Sequence, residues 1–163
     1  MRTVNYSDIL RGSAGLAGMN YVPGDATSDI GTGAAYPDLY AMGVVPWAFF
    51  VPNKGMIQSA LYFDRDNEGL QVDLWLFSQR PANQTDNSAF AVTDDNLLYC
   101  VDVIQFIGFR NANTGQISAQ NNLGIVYDLG AGGSTIYAVL QARGALNIAQ
   151  GALPQFQLRI LPL

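Results

Sequence analysis

From Tyr40 onward, turn signals interrupt this chain so often that no amphipathic helix longer than about 12 residues can be drawn through it. Between the turns lie strand-length runs. AMGVVPWAFFV comes first, and Pro46 inside it calls for an edge strand, a bulge or a break, because proline has no N–H to give to a ladder. After the PNKG turn, GMIQSALYFD places Ile57, Ser59, Leu61 and Phe63 on one face. LQVDLWLF places Val72, Leu74 and Leu76 on one face, with Asp73 and Trp75 on the other. The polar stretch 78–96 reads as loop, with one short helical turn around Ser88 to Val92. YCVDVIQFIGF is apolar on both faces and reads as a central strand covered on both sides. ISAQNNLGIVYDL reads as a broken strand pair or a strand bulged at Gly124. STIYAVLQAR and PQFQLRIL complete the set, and in the last of these Phe156, Leu158 and Ile160 alternate with Gln157 and Arg159. About seven or eight strands at this spacing predict an all-β fold, an antiparallel, jelly-roll-like β-sandwich over residues 39–163.

Residues 1–38 have a different texture. Six glycines fall between Gly12 and Gly33, a density that opposes any long helix. A short helix could start at Ser7 as N-cap with Asp8 in its first turn, weakened by Gly12 and Gly15. The segment reads as an extended or partly ordered arm. Tyr6, Ile9, Leu10, Leu16 and Tyr21 are its candidate interface residues, giving it apolar surface to bury against a neighbour.

Composition narrows the chemistry. There is no histidine, one cysteine (Cys100), one lysine (Lys54) and one glutamate (Glu68). Histidine is the usual general base and metal ligand near neutral pH. No catalytic, cofactor-binding or metal site is therefore expected. Charged residues are 13%, about half the usual share, which suits a surface meant to be covered by partners. A net charge of −5 with eight scattered basic residues argues against nucleic acid and against anionic membranes as partners. MRTVNYSDIL is followed by no long apolar core, and no run approaches the roughly 20 apolar residues of a membrane span. Synthesis in a reducing cytoplasm is expected. Cys100, in LLYCVDVIQF, reads as a buried small hydrophobe.

Four patterns resemble sites. In DRDNEG, Asp64, Asp66 and Glu68 occupy the first, third and fifth positions of a calcium loop with Gly69 at the sixth, but Trp75 stands where a bidentate glutamate is needed, so an acidic turn is expected. GAGG at 130–133 lacks the lysine of a phosphate loop and leads into a β-rich run, so it reads as a tight connection. Asp94 and Asp95, with Asp86 nearby, could pair as glycosidase acids, but their polar setting reads as capping or a solvated loop. Trp47, Trp75, Tyr62, Tyr99 and Tyr137 could form a sugar-stacking platform, although strand aromatics more often build cores and interfaces.

Four blocks carry a resemblance: GMIQSALYFDRDNEGLQVDLWLFSQRP, TDNSAFAVTDD, NLGIVYDLGAGGSTIYAVLQARGA and PQFQLRILPL. They run from about Gly55 to the C-terminus and resemble small proteins encoded near the capsid genes of tailed bacteriophages, β-sandwich decoration or cement proteins of the head. The resemblance implies a non-enzymatic virion protein without cofactors. It would sit on the outer capsid surface, with the major capsid protein and further copies of itself as partners, commonly as a homotrimer. A tail, baseplate or head-fibre subunit and a glycan-binding module are the alternatives. The resemblance carries over no functional residues and does not cover the glycine-rich segment before Tyr36.

Overall fold

The computed structural model describes residues 20–23, 30, 35–65, 67–148 and 153–163. Its strands are β1 (Asn20–Pro23), β2 (Ala35–Tyr36), β3 (Ala41–Phe50), β4 (Lys54–Asp64), β5 (Val72–Phe77), β6 (Cys100–Phe106), β7 (Arg110–Asn111), β8 (Gln116–Asp128), β9 (Thr135–Ala142), β10 (Leu146–Asn147) and β11 (Gln155–Pro162). One sheet has the order β1-β11-β4-β8-β7, a second β3-β9-β5-β6, and β2 pairs with β10. Every pairing is antiparallel. Leaving aside the two-residue strands β2, β7 and β10, the chain pairs its first strand with its last (β1·β11), then β3 with β9, β4 with β8 and β5 with β6. It is one long antiparallel ribbon folded back at β5–β6, and the ladders β11·β4 and β9·β5 roll that ribbon into two facing sheets. That connectivity is a jelly roll, as the alternating runs predict. β1 comes up against β3 and β6 against β8, closing both flanks.

The inner faces supply the core. Val72, Leu74 and Leu76 of β5 and Phe156, Leu158 and Ile160 of β11 are buried there, as their period of two requires. A group of rings joins the two sheets. Phe156 stacks on Tyr62 with centroids 4.8 Å apart and meets the rings of Trp47 at 5.3 Å and Phe106 at 5.6 Å.

β4 departs from the predicted facing. Ile57 pairs with Ile125 and Ser59 with Asn121, so Gln58 on β4 stands against Asn122 to Gly124 on β8. Asn122 and Gly124 take the left-handed backbone (φ 57° and 65°) that such a bulge needs. The bulge reverses the facing of β4, so the core receives Ile57, then Ala60 and Tyr62. Ser59, Leu61 and Phe63 stand on the outer face. β8 is accordingly one strand bulged around Gly124. β3 also fits its sequence: it is an edge strand, and its register shifts between Met42 and Trp47, around Pro46.

β6 corrects the expectation of a central strand. It is the edge of the second sheet and pairs only with β5, with Ile104 and Phe106 buried and Ile107 60% exposed. The reason lies in the long excursion 78–99. It leaves β5 and bonds to β3 through Gln84 N to Val44 O, Asn87 N to Ala41 O and Ala41 N to Ser88 O, then re-enters the sheet beside β5. Segment 84–90 thereby covers the free edge of β3, and Phe90 packs on Trp75 at 5.2 Å. The predicted helical turn at Ser88 to Val92 is instead extended, with Ala89 bridging Tyr40. The turn that does form is α1 (Asp94–Leu97). It begins where Thr93 Oγ1 accepts from the Asn96 amide and Asp94 and Asp95 sit in the first turn. α1 is the only helix among the described residues, and no helix there is long and apolar enough to cross a membrane.

The glycine-rich segment contributes to the roll. β1 adds to the edge of the first sheet with Tyr21 opposite Arg159, and Ile30 and Tyr36 are buried in the core. Of the candidate interface residues, Tyr6, Ile9, Leu10 and Leu16 lie outside the described residues, as does the possible helix at Ser7. Tyr21 is placed by its backbone in β1.

Candidate functional site

The acids singled out by sequence are held by the fold's own donors. Asp64, at the end of β4 and buried, accepts from the amides of Gly69 (2.8 Å) and Leu70 (3.4 Å). Gln116 ties the same loop by donating to the Asn67 carbonyl at 2.7 Å. Asp64 thus closes a turn, which is the acidic-turn reading of DRDNEG; Asp66 lies outside the described residues. Asp86 is engaged by the fold. It accepts from Tyr36 Oη at 2.8 and 3.0 Å and from the Gly43 amide at 2.7 Å, pinning β2 and the start of β3. Gly43 has φ 89°, and the carboxylate holds its N–H there. Asp94 and Asp95 are exposed on α1. Among the described residues no three His, Cys, Asp or Glu side chains gather as metal ligands would.

The glycine loop after β8 runs strand to strand. Gly130 donates to Asp128 and Gly133 to the Gly130 carbonyl. Asp128 in turn pairs with Lys54 at 2.7 Å, and that contact, helped by the Gly130 amide, holds its carboxyl below the usual range.

The aromatic platform is not assembled. Trp47 and Tyr62 are core residues on opposite sheets, Trp75 lies under Phe90, Tyr137 is half-buried and Tyr99 is 41% exposed at the start of β6. Cys100 is half-buried rather than buried, because β6 is an edge. Burial first, and the Asp102 carboxylate second, push its thiol up, away from the reactive thiolate.

Tyr127 shows how a buried hydroxyl is tolerated. Its oxygen lies over Gly55, where a Cβ would approach it to 2.6 Å, and it has no hydrogen-bond partner among the described residues. Burial pushes the phenol far above its ordinary value. A raised pKa in the fold adds stability that is complete below the unfolded value near 10 and is lost as pH climbs through the folded value. Tyr127→Phe is therefore expected to cost less than about 1 kcal/mol near neutrality. It should also remove part of the alkaline loss seen between about pH 9 and about pH 11. Urea midpoints of the two proteins across that range test this, and parallel curves would refute it.

What the surface offers lies along the β6 flank. Leu98 is 81% exposed and Ile107 60%, at opposite ends of β6. Gly108, Phe109, Arg110, Ile117, Ala119 and Asn121 line a cavity of about 480 Å³ beside its end. Sequence reasoning missed this surface by centring β6. The available signal was Asp102 and Gln105, two polar residues inside an otherwise apolar run.

The fold is a jelly-roll sandwich, and its buried acids are structural. Comparison with protein-family models, with curated proteins and with solved structures finds no match for this chain.

Proposed function

We propose that this chain is a non-enzymatic virion protein, a decoration or cement subunit that binds the outside of an assembled phage head and stabilises it. The observation that carries the reading is the contrast between interior and flank. Asp64, Asp73 and Asp86 serve the fold, whereas Leu98 and Ile107 stand exposed at the two ends of β6. Such a surface suits a partner-covering role. The jelly roll is a fold of virus shell subunits, though it hosts other functions as well. The four sequence blocks that resemble head decoration proteins supply β4, β5, β8, β9 and β11, the inner framework of the roll.

The partners would be the major capsid protein and further copies of this chain, as a homotrimer. A subunit that binds the lattice but not its separated parts stabilises the lattice by mass action, and a trimer multiplies the effect through avidity. Synthesis in the host cytoplasm would precede assembly.

Co-sedimentation of the purified protein with mature heads tests the proposal. Saturation at a high copy number compatible with shell symmetry is expected. No binding, or a few copies at one vertex, overturns it. The arm's part is tested by deleting residues 1–19, since a cut at residue 35 would also remove β1 and Ile30 from the roll. The shorter deletion is expected to keep the fold and weaken attachment.

A further inference from the structure

Among the described residues, the fold commits most of its cations to its own polar groups. Lys54 pairs with Asp128 and Arg143 with Asp73, Arg80 donates to Asn83 at 2.7 Å, and Arg159 is engaged as well. Arg65 and Arg110 are left. Both are exposed, and neither has an ion-pair or side-chain hydrogen-bond partner among the described residues. They stand near each other. Arg65 follows β4 and Arg110 opens β7, the two strands that flank β8, so about 10 Å separates their main chains across the sheet.

A groove lies between them on the outer face of the first sheet. Phe63, Ile117 and Arg110 are direct cross-strand partners and share that face. Ile117 is common to two cavities. Phe109, Arg110 and Asn121 line the one of about 480 Å³, and Phe63, Arg65 and Thr114 line a second of about 520 Å³. Asp64 also borders the second, but its carboxylate is buried and accepts from the Gly69 and Leu70 amides.

Two uncommitted guanidiniums beside cavities of this size, in a chain of net charge −5, mark a place for an anionic ligand. The rest of the lining selects its class. Phe63 and Phe109 are half-buried rings, while Thr114 and Asn121 bring a hydroxyl and an amide. A sugar ring has a C–H face to lay on an aromatic and a rim of hydroxyls to bond, so it meets both. An extended acidic peptide seeks a strand edge, and here β8 is already paired with β7 at Gln116 and Ile117. A nucleic acid asks for a longer basic track than two arginines.

We infer that this groove binds an acidic saccharide, a chain of sugar units bearing carboxylates. Arg65 and Arg110 take the carboxylates, and Phe63 and Phe109 take the ring faces. This goes beyond the decoration reading and does not depend on it.

The probe is a hexamer of α-1,4-linked galacturonic acid, beside its methyl ester, which keeps the rings and loses the charge, and a hexaglutamate peptide. Calorimetric titration at low salt is expected to show binding of the free acid, with the ester and the peptide at least tenfold weaker. Arg65→Ala and Arg110→Ala should each weaken binding roughly tenfold, and the double variant should abolish it. Both side chains are exposed, so the melting temperature should stay unchanged. Ala119→Trp, at an exposed position that lines the first cavity, fills it and leaves every charge in place. It should weaken binding too, which separates a shaped site from general attraction between charges. No binding of the free acid, equal binding of the ester, or unchanged affinity in the folded double variant or in Ala119→Trp would overturn the inference. So would a peptide that binds as tightly as the sugar, since the occupant would then be an acidic protein segment.

Discussion

Replacing Phe156 by alanine is expected to destabilise the protein by about 3–5 kcal/mol and to lower the melting temperature by roughly 10 °C. The size of the effect follows from what surrounds the ring. Phe156 is buried on the inner face of β11, stacked on Tyr62 across the ladder with the planes 14° apart. The edge of Trp47 comes from β3 on the opposite sheet, and Phe106 comes from β6. Deleting the ring loses its transfer free energy and leaves a void bounded by three large rigid side chains on three strands. Those strands are held by ladders and cannot close the gap without breaking register. Gln157→Ala, one residue along and facing outward, is the control and should change stability by less than about 0.5 kcal/mol. Urea unfolding of the three proteins checks this. A loss below about 1 kcal/mol for the Phe156 variant would mean that the sheets can close over the cavity.

The same strand shows what sequence can carry. Phe156, Leu158 and Ile160 alternate cleanly because the extra residue in the β11·β4 ladder, Gln58, lies on β4 and leaves β11 its period of two. β5 is legible for the same reason. β4 is not, because its facing reverses at Gln58, and that bulge answers three residues of β8 some sixty positions later in the chain. The only local hint was Gly124. β6 failed differently. Its apolar content is genuine, but whether a strand is central or at an edge depends on where the excursion 78–99 returns the chain, and no periodicity encodes that. β1 is four residues inside a glycine-rich stretch, too short to display a period, and it exists because β11 offers an edge to it. Site reasoning met the same divide. DRDNEG and the glycine loop resolve as turns from their own residues, whereas the partners of Asp86 are Tyr36 and Gly43, more than forty residues away.

Arg143→Ala is expected to cost about 3 kcal/mol, far more than loss of a surface ion pair. Its partner is the reason. Asp73 lies on the outer face of β5, yet its side chain is fully buried. One carboxylate oxygen accepts from Arg143 Nε at 2.6 Å and from its terminal nitrogen, and the other has no hydrogen-bond partner among the described residues. The contact with Asp73 also raises the affinity of Arg143 for its proton. Removing the guanidinium strands a buried charge, and that desolvation dominates the cost. The main-chain bond from Arg143 N to the Gln71 carbonyl survives the substitution, so the β9 end of the ladder is not what fails. Arg143→Lys should recover only part of the loss, since an ammonium lacks the planar fork. The decisive protein is Asp73→Leu combined with Arg143→Ala. If the penalty is the stranded carboxylate, the double variant is expected to be more stable than Arg143→Ala alone, with a coupling of roughly 2 kcal/mol in a urea double-mutant cycle. Additive losses would instead mean that Asp73 and Arg143 act through separate packing contacts, and the buried pair would then have no energetic role of its own.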